Sequence, residues 1–345
     1  MQKRRQFIKT SSLLTAGALM VPNINFGKAK EDLIIGHGDF KYRVDPIWGA
    51  LSPAKIPVKD CHEMVQDSQG RIVLLTNHTQ NNVIIYDKGG NFLESWGTEY
   101  PGAHGLTLSN EGGTDYLYIS DNARHEVIKT TIDGRVVMTL PWPEQTGLYE
   151  KADQYIPTET TIAPNGDIYV ADGYGKQYIL RYNSTGELLD WFGGRGDGDE
   201  YFDNAHGICL DTRKGYENSL LITSRARNQV KRFSLDGELL DVINLPGAFI
   251  CRPVIAGEEV YFATLISKLP YHSESGFVTI LNKDNQVVSV PGGGAPVYQD
   301  GTLEQLYQTE PLFKHPHDVC VDDEGSVYVA QWNSGQTYPI KLTRV

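Results

Sequence analysis

Cysteine is scarce in this chain: four residues in 345, Cys61, Cys209, Cys251 and Cys320, with no CxxC pair among them. That spacing excludes a thioredoxin-like redox motif and leaves buried free thiols as the expectation. Long apolar runs are equally few. One run, Leu13–Val21, lies near the N-terminus and is too short to cross a bilayer, and none follows it, so the rest of the chain reads as soluble. Positive charge is in short supply as well, with 31 Lys and Arg against 43 Asp and Glu, a net −12. Five of the basic residues fall within the first 29 positions, which leaves 26 against 43, a net −17, on the remainder. Such a surface repels nucleic acid and anionic lipid, so neither is an expected partner.

The basic residues that are present cluster informatively. Lys3-Arg4-Arg5-Gln6-Phe7-Ile8-Lys9 precedes the apolar run, and small residues follow near Gly27-Lys28-Ala29. A positive segment, a short apolar stretch and a cleavable end make a signal peptide, and the paired arginines resemble a twin-arginine export signal. Residues 1–29 are therefore read as the signal and 30–345 as one domain, exported to the periplasm or exterior of a bacterium.

The chain repeats itself. One unit runs from His62-Glu63-Met64-Val65 through a turn at Asp67–Gly70 and three further strand-like stretches to Trp96-Gly97. Related units open at His104-Gly105, Pro157-Thr158-Glu159, His206-Gly207, Arg252-Pro253 and His317-Asp318. Four short strands per roughly 45 residues is the period of a propeller blade, and the pattern resembles NHL repeats. The last unit has only three strands. Phe40–Val44, ending at Trp48-Gly49 as other units end at Trp96-Gly97 and Phe192-Gly193, supplies the fourth. The expected fold is all-β: a six-bladed propeller closed by its N-terminal strand. Insertions at 141–155 and 290–314 precede the third and sixth blades, on the side of the blade-start histidines.

The start of each innermost strand lines one mouth of a propeller's channel. In this reading the six positions are His62, His104, Glu159, His206, Arg252 and His317. A repeat can use His-Gly for turn geometry alone. The chemical alternative is a metal: blades two, four and six place His104, His206 and His317 about one axis, and three imidazoles with an open position form a common zinc site. His62 and Glu159 are then acid/base candidates or extra ligands. Asp318 is a candidate to orient a ligand or to hold calcium. Arg225 and Tyr174 end second strands at the same mouth, suited to pairing a carboxylate and to general-base work.

At these residues the chain resembles peptidyl-α-hydroxyglycine α-amidating lyase. The resemblance is strongest over Pro157–Tyr174, Ala205-His206-Gly207 with Ser224-Arg225, and Pro316–Val329. It implies zinc on His104, His206 and His317, Tyr174 as the catalytic tyrosine, and Arg225 as an active-site arginine. It also implies a channel calcium held by Asp318 and by carbonyls near Met64 and Leu106. Asn77 stands where the family has a second arginine, His315 replaces a methionine and Gly175 a cysteine, and His62 and Arg252 replace small residues.

The expected function is an exported lyase using zinc or a similar divalent ion, with calcium as a second candidate ion, on a small-molecule or peptide-derived substrate that is hydroxylated and carries a carboxylate. It would split a C–N bond, with Tyr174, Arg225, Arg252, His62 and Glu159 as the catalytic set. The alternatives are a non-catalytic propeller that binds a ligand or a partner protein, and a metal-dependent hydrolase or lyase acting on a sugar-derived substrate.

Overall fold

The computed structural model describes residues 33–267 and 274–345; the segment read as an export signal lies outside them. No described helix is long and apolar enough to cross a membrane.

Second and third strands of each repeat read as nearly unbroken β-branched and aliphatic runs, such as Ile72–Thr76 and Val83–Tyr86, and every residue in them is buried. Both faces of such a strand must therefore be covered. The structure covers them by stacking sheets around an axis. Four-stranded antiparallel sheets span Cys61–Trp96, Ala103–Pro141, Glu159–Gly193, Ala205–Asn244 and Ile250–Ser289, blades one to five. Blade six joins Pro316–Val321, Val327–Gln331 and Ile340–Arg344 to the N-terminal strand Phe40–Asp45. That strand pairs antiparallel with the last one, Val44 opposite Leu342 and Tyr42 opposite Arg344. A fifth strand, Ile34–His37, adds to the outer edge of this blade and was not foreseen from the sequence. The architecture is a six-bladed β-propeller.

The core is divided the same way. Each hydrophobic cluster among the described residues fills one seam between neighbouring blades, for example Val73, Leu75, Leu106 and Ile119 between blades one and two. The seam across the ring closure holds Trp48, Met64, Ile72, Tyr86, Cys320 and Tyr328.

The aromatic-glycine ending of the outer strands has a mechanical reason. Trp48 donates its indole N–H to the Lys88 carbonyl at 3.0 Å, and Trp96 donates to the Ile132 carbonyl at 2.8 Å. Each reaches the last turn of the next blade, where the ring lies against a glycine, Gly90 or Gly134. Phe192 covers Gly237 in the same way. A side chain on any of these turn glycines would collide with the ring, so the motif clasps one blade to the next.

Candidate functional site

Innermost strands carry the site, and a β-bulge shapes most of them. The pairing register slips at His62, at His104, within Ala205–Ile208, within Ile250–Pro253 and at His317. A bulge turns the extra residue out of the ladder and re-aims its side chain. Here the re-aimed side chains meet on the axis. The rings of His104, His206 and His317 form a triangle with centres 4.8–4.9 Å apart. His62 makes a second triangle with His104 and His317, at 4.8–4.9 Å. The two triangles share the His104–His317 edge.

The glycine after histidine follows from crowding in the ring. A Cβ on Gly105 would lie 2.4 Å from the Thr158 carbonyl oxygen, and one on Gly207 would lie 2.2 Å from the Arg252 Cα. Neighbouring innermost strands approach too closely at these points for any side chain.

The structure corrects the assignment of the mouth in two blades. Thr158 and Cys251, not Glu159 and Arg252, stand level with the histidines; Glu159 and Arg252 lie one residue deeper. The mouth tier is thus His62, His104, Thr158, His206, Cys251 and His317. Below it lie Glu63, Gly105, Glu159, Gly207, Arg252 and Asp318. The register carries this placement: the slips within Ala205–Ile208 and Ile250–Pro253 set Cys251 level with His206, and the Thr158 carbonyl meets His104. Arg252 is engaged by Asp318 in a two-point ion pair, Nε to Oδ1 at 2.8 Å and Nη2 to Oδ2 at 2.9 Å. Asp318, expected as a metal or orienting ligand, is committed to that pair and to the Met64 N–H at 2.8 Å. Burial pushes its pKa up to about 6 against the pull of Arg252. Burial, reinforced by Glu159 and Asp318, also raises Glu63 well above the carboxylate range, again with Arg252 opposing.

The four mouth histidines are buried and neutral. Burial is the largest cause in each, lowering His62 to about 3 and His104, His206 and His317 well below the ordinary imidazole value. Two tautomers are set by backbone. The Nδ1 of His104 meets the Thr158 carbonyl at 2.9 Å, and that of His317 meets the His62 carbonyl at 3.0 Å. A carbonyl can only accept, so both Nδ1 atoms carry the proton and both Nε2 atoms present a lone pair to the axis. The Nδ1 atoms of His62 and His206 are buried without a hydrogen-bond partner.

Tyr174 closes the group. Its hydroxyl lies 3.1 Å from His104 Nε2 and 3.0 Å from His206 Nε2, and accepts from Arg225 Nη2 at 3.2 Å. Arg225 is held in turn by Asn204, whose Oδ1 accepts from Nε at 2.7 Å, and its guanidinium stacks over Phe249. Asn77 is tied to Asp60, donating to Oδ2 at 3.0 Å, and its amide nitrogen stands 3.4 Å from His62 Nε2. These side chains border a cavity of about 340 Å³ lined by His62, Asn77, His104, Asn122, Tyr174, Arg225, Leu265, His317 and Trp332. A larger groove of about 670 Å³ lies between blades four and five, away from the histidines.

Sequence reasoning missed Asn204, Leu265 and Trp332. Each sits at a strand end or in a connecting loop, where the repeat period carries no signal. Asn204 alone had a local cue: it precedes Ala205-His206 and adopts a left-handed φ of 62°, a conformation Asn tolerates.

Metal-ligating atoms fall within 4.8 Å of one another in two sets among the described residues: His62, His104 and His317, and His206, Cys251 and His317. Of the two histidine triangles, His62, His104 and His317 is one of these sets, whereas His206 converges with Cys251 and His317 and not with His104.

Comparison with known proteins agrees with this architecture. No family model matches the chain. Over 343 residues it is 25% identical to peptidyl-alpha-hydroxyglycine alpha-amidating lyase 1 of Drosophila melanogaster, a match covering 91% of this chain and 55% of that protein. Its resemblance is to the amidating lyases. The chain spans about half the length, or less, of the curated lyase relatives it matches. A streptogramin B lyase superposes with a TM-score of 0.56 at 17% identity, covering 84% of this chain and 95% of that one. A gluconolactonase of Xanthomonas campestris gives 0.58 at 12% identity, covering 88% and 89%. At these identities the two structures bear on the fold alone.

Proposed function

We propose that this amidating-lyase-like propeller is a metal-dependent enzyme that cleaves a C–N bond at a hydroxylated carbon beside a carboxylate. The observation that carries the reading is the hydroxyl of Tyr174, held at once by His104, His206 and Arg225. His104, His206 and His317 would hold zinc or a similar divalent ion. Their neutral, buried imidazoles fit that ion, and His206 has an unpartnered Nδ1 while its Nε2 meets the Tyr174 hydroxyl. His62 is the fourth candidate: its Nε2 is approached by Asn77 at 3.4 Å, as those of His104 and His206 are by Tyr174 at 3.1 and 3.0 Å, and its ligand atoms group with those of His104 and His317. The ion, when bound, supplies Lewis acidity toward the substrate hydroxyl.

The chain's own groups then have distinct tasks. Arg225 donates to the Tyr174 hydroxyl at 3.2 Å and offers its charge to a carboxylate in the cavity it lines. Tyr174 takes the proton of the substrate hydroxyl. As the C–N bond opens, the carbon becomes an aldehyde carbonyl and the same proton is delivered to the departing amide nitrogen. Atoms balance with no oxidant: an α-hydroxyglycine amide gives a primary amide and glyoxylate. Leu265 and Trp332 give the cavity an apolar wall against the rest of the substrate.

One feature favours a second substrate class. With Asn77 bound to Asp60, the cavity has one lining cation among the described residues, Arg225, which also suits a sugar-derived hydroxy acid. The test is elemental analysis of protein purified without a His-tag, followed by incubation with a peptidyl α-hydroxyglycine and with sugar lactones or acids. One transition-metal ion per chain, lost in His206→Ala and kept in His62→Ala, with glyoxylate release, is expected. Metal-free protein that turns over neither substrate would leave a binding propeller.

A further inference from the structure

Below the histidines the channel gathers oxygen atoms around one point. The carboxylates of Glu63, Glu159 and Asp318 come from blades one, three and six, and the carbonyls of Met64 and Leu106 from blades one and two; the three acids are buried. Carboxylate and carbonyl oxygens closing from several sides are the donor set of a hard divalent cation such as calcium. In this chain that volume is filled from within. The guanidinium of Arg252, reaching in from blade five, pairs with Asp318 at 2.8 and 2.9 Å. It donates through Nη2 to the Met64 carbonyl at 2.8 Å and through Nη1 to the Leu106 carbonyl at 3.0 Å. Nη1 also lies 3.6 Å from Glu63 and 3.9 Å from Glu159. The two metal-ligating clusters found among the described residues include none of these acids.

We infer that Arg252 is the resident cation of the channel, occupying the oxygen cage in place of a divalent ion, so that the native protein binds no calcium there. The calcium expected from the family resemblance does not fit, because its ligands are already donated to by one side chain. A guanidinium suits the role: its planar fork satisfies several acceptors at once and stays charged at any working pH.

The arrangement also makes Arg252 a positioning residue. Met64 and Leu106 lie two residues beyond His62 and His104, and Asp318 directly follows His317. One side chain therefore ties together the strands that carry three of the four mouth histidines. The inference does not depend on what the mouth binds, since all its contacts are in the tier beneath.

The experiment uses the full chain and calcium chloride as the probe. For wild type, calcium should be absent by elemental analysis, and the melting temperature should be unmoved by EGTA or by millimolar calcium. Arg252→Ala empties the cage while leaving its oxygen atoms. It should melt several degrees lower, recover part of that loss in calcium but not in magnesium, and lose the recovery when Asp318→Asn is added. If the single variant folds only when expressed in calcium, that dependence supports the same conclusion. Stoichiometric calcium in wild type, or a wild-type melting temperature that rises with calcium, would overturn it without recourse to any variant. An Arg252→Ala protein that folds and ignores calcium would overturn it too.

Discussion

The backbone of Gly207 runs so close to Arg252 that a Cβ at position 207 would lie 2.2 Å from the Arg252 Cα and 2.4 Å from its Cβ. Blades four and five meet here along their innermost strands, one residue below His206 and Cys251. The close approach involves backbone as well as side chain, so a rotamer change cannot relieve it.

Gly207→Ala is therefore expected to destabilise the protein by about 1–3 kcal/mol or more, the range for overpacking a dense interior. Urea unfolding of the variant and wild type measures it. Gly112 has open space around its missing side chain and serves as a control, although its φ of 61° adds some backbone strain to a substitution there. Equal midpoints for Gly207→Ala and wild type would mean the ring expands more easily than this packing allows.

Tyr174→Phe removes one hydroxyl and keeps the ring. Metal content and melting temperature should match wild type, while turnover falls by roughly 10²-fold or more, the usual contribution of a positioned acid/base group. Near-normal turnover on the proposed substrate would take Tyr174 out of the proton-transfer step.

Under the proposed function anion binding falls to Arg225, the one cavity-lining cation among the described residues, since Arg252 is bound within the channel. Arg225→Ala should weaken a small carboxylate by tenfold or more, about 1.4 kcal/mol, with unchanged metal content. Asn204→Ala should act in the same direction and less strongly, by freeing the Nε that Asn204 holds at 2.7 Å. Calorimetric titration with glyoxylate reads both. If neither variant alters carboxylate affinity, a neutral substrate becomes the better reading.

The four cysteines are free thiols, three buried and Cys209 half-buried. Burial raises every one of their pKa values, so the reactive thiolate is disfavoured at neutral and mildly alkaline pH. Ellman's reagent at pH 8 should find almost no reactive thiol in the folded protein and four after unfolding in urea. Fast labelling of the native chain would indicate a mouth or seam that opens readily.

Much of this molecule was legible in the chain. Buried β-branched runs at a regular spacing, with glycine turns between them, demand strands covered on both faces, and repeated units can meet that demand only by stacking. The three-strand last repeat and the early Phe40–Val44 segment, with its Trp-Gly ending, likewise called for an N-terminal strand closing the ring. His104, His206 and His317 share a position within the repeat, so symmetry alone put them near one axis. Depth along that axis was a different matter. Five of the six innermost strands enter the channel through a bulge, which shifts side chains by one residue without altering the hydrophobic pattern, while that of blade three pairs without a slip from Glu159 onward. Only the assembled ring showed that Thr158 and Cys251 stand level with the histidines while Glu159 and Arg252 lie beneath them. The contacts of Arg252 with Asp318, Met64 and Leu106 join residues 66, 188 and 146 positions apart. Such partners are chosen by the closure of the ring, and nothing local in the sequence encodes them.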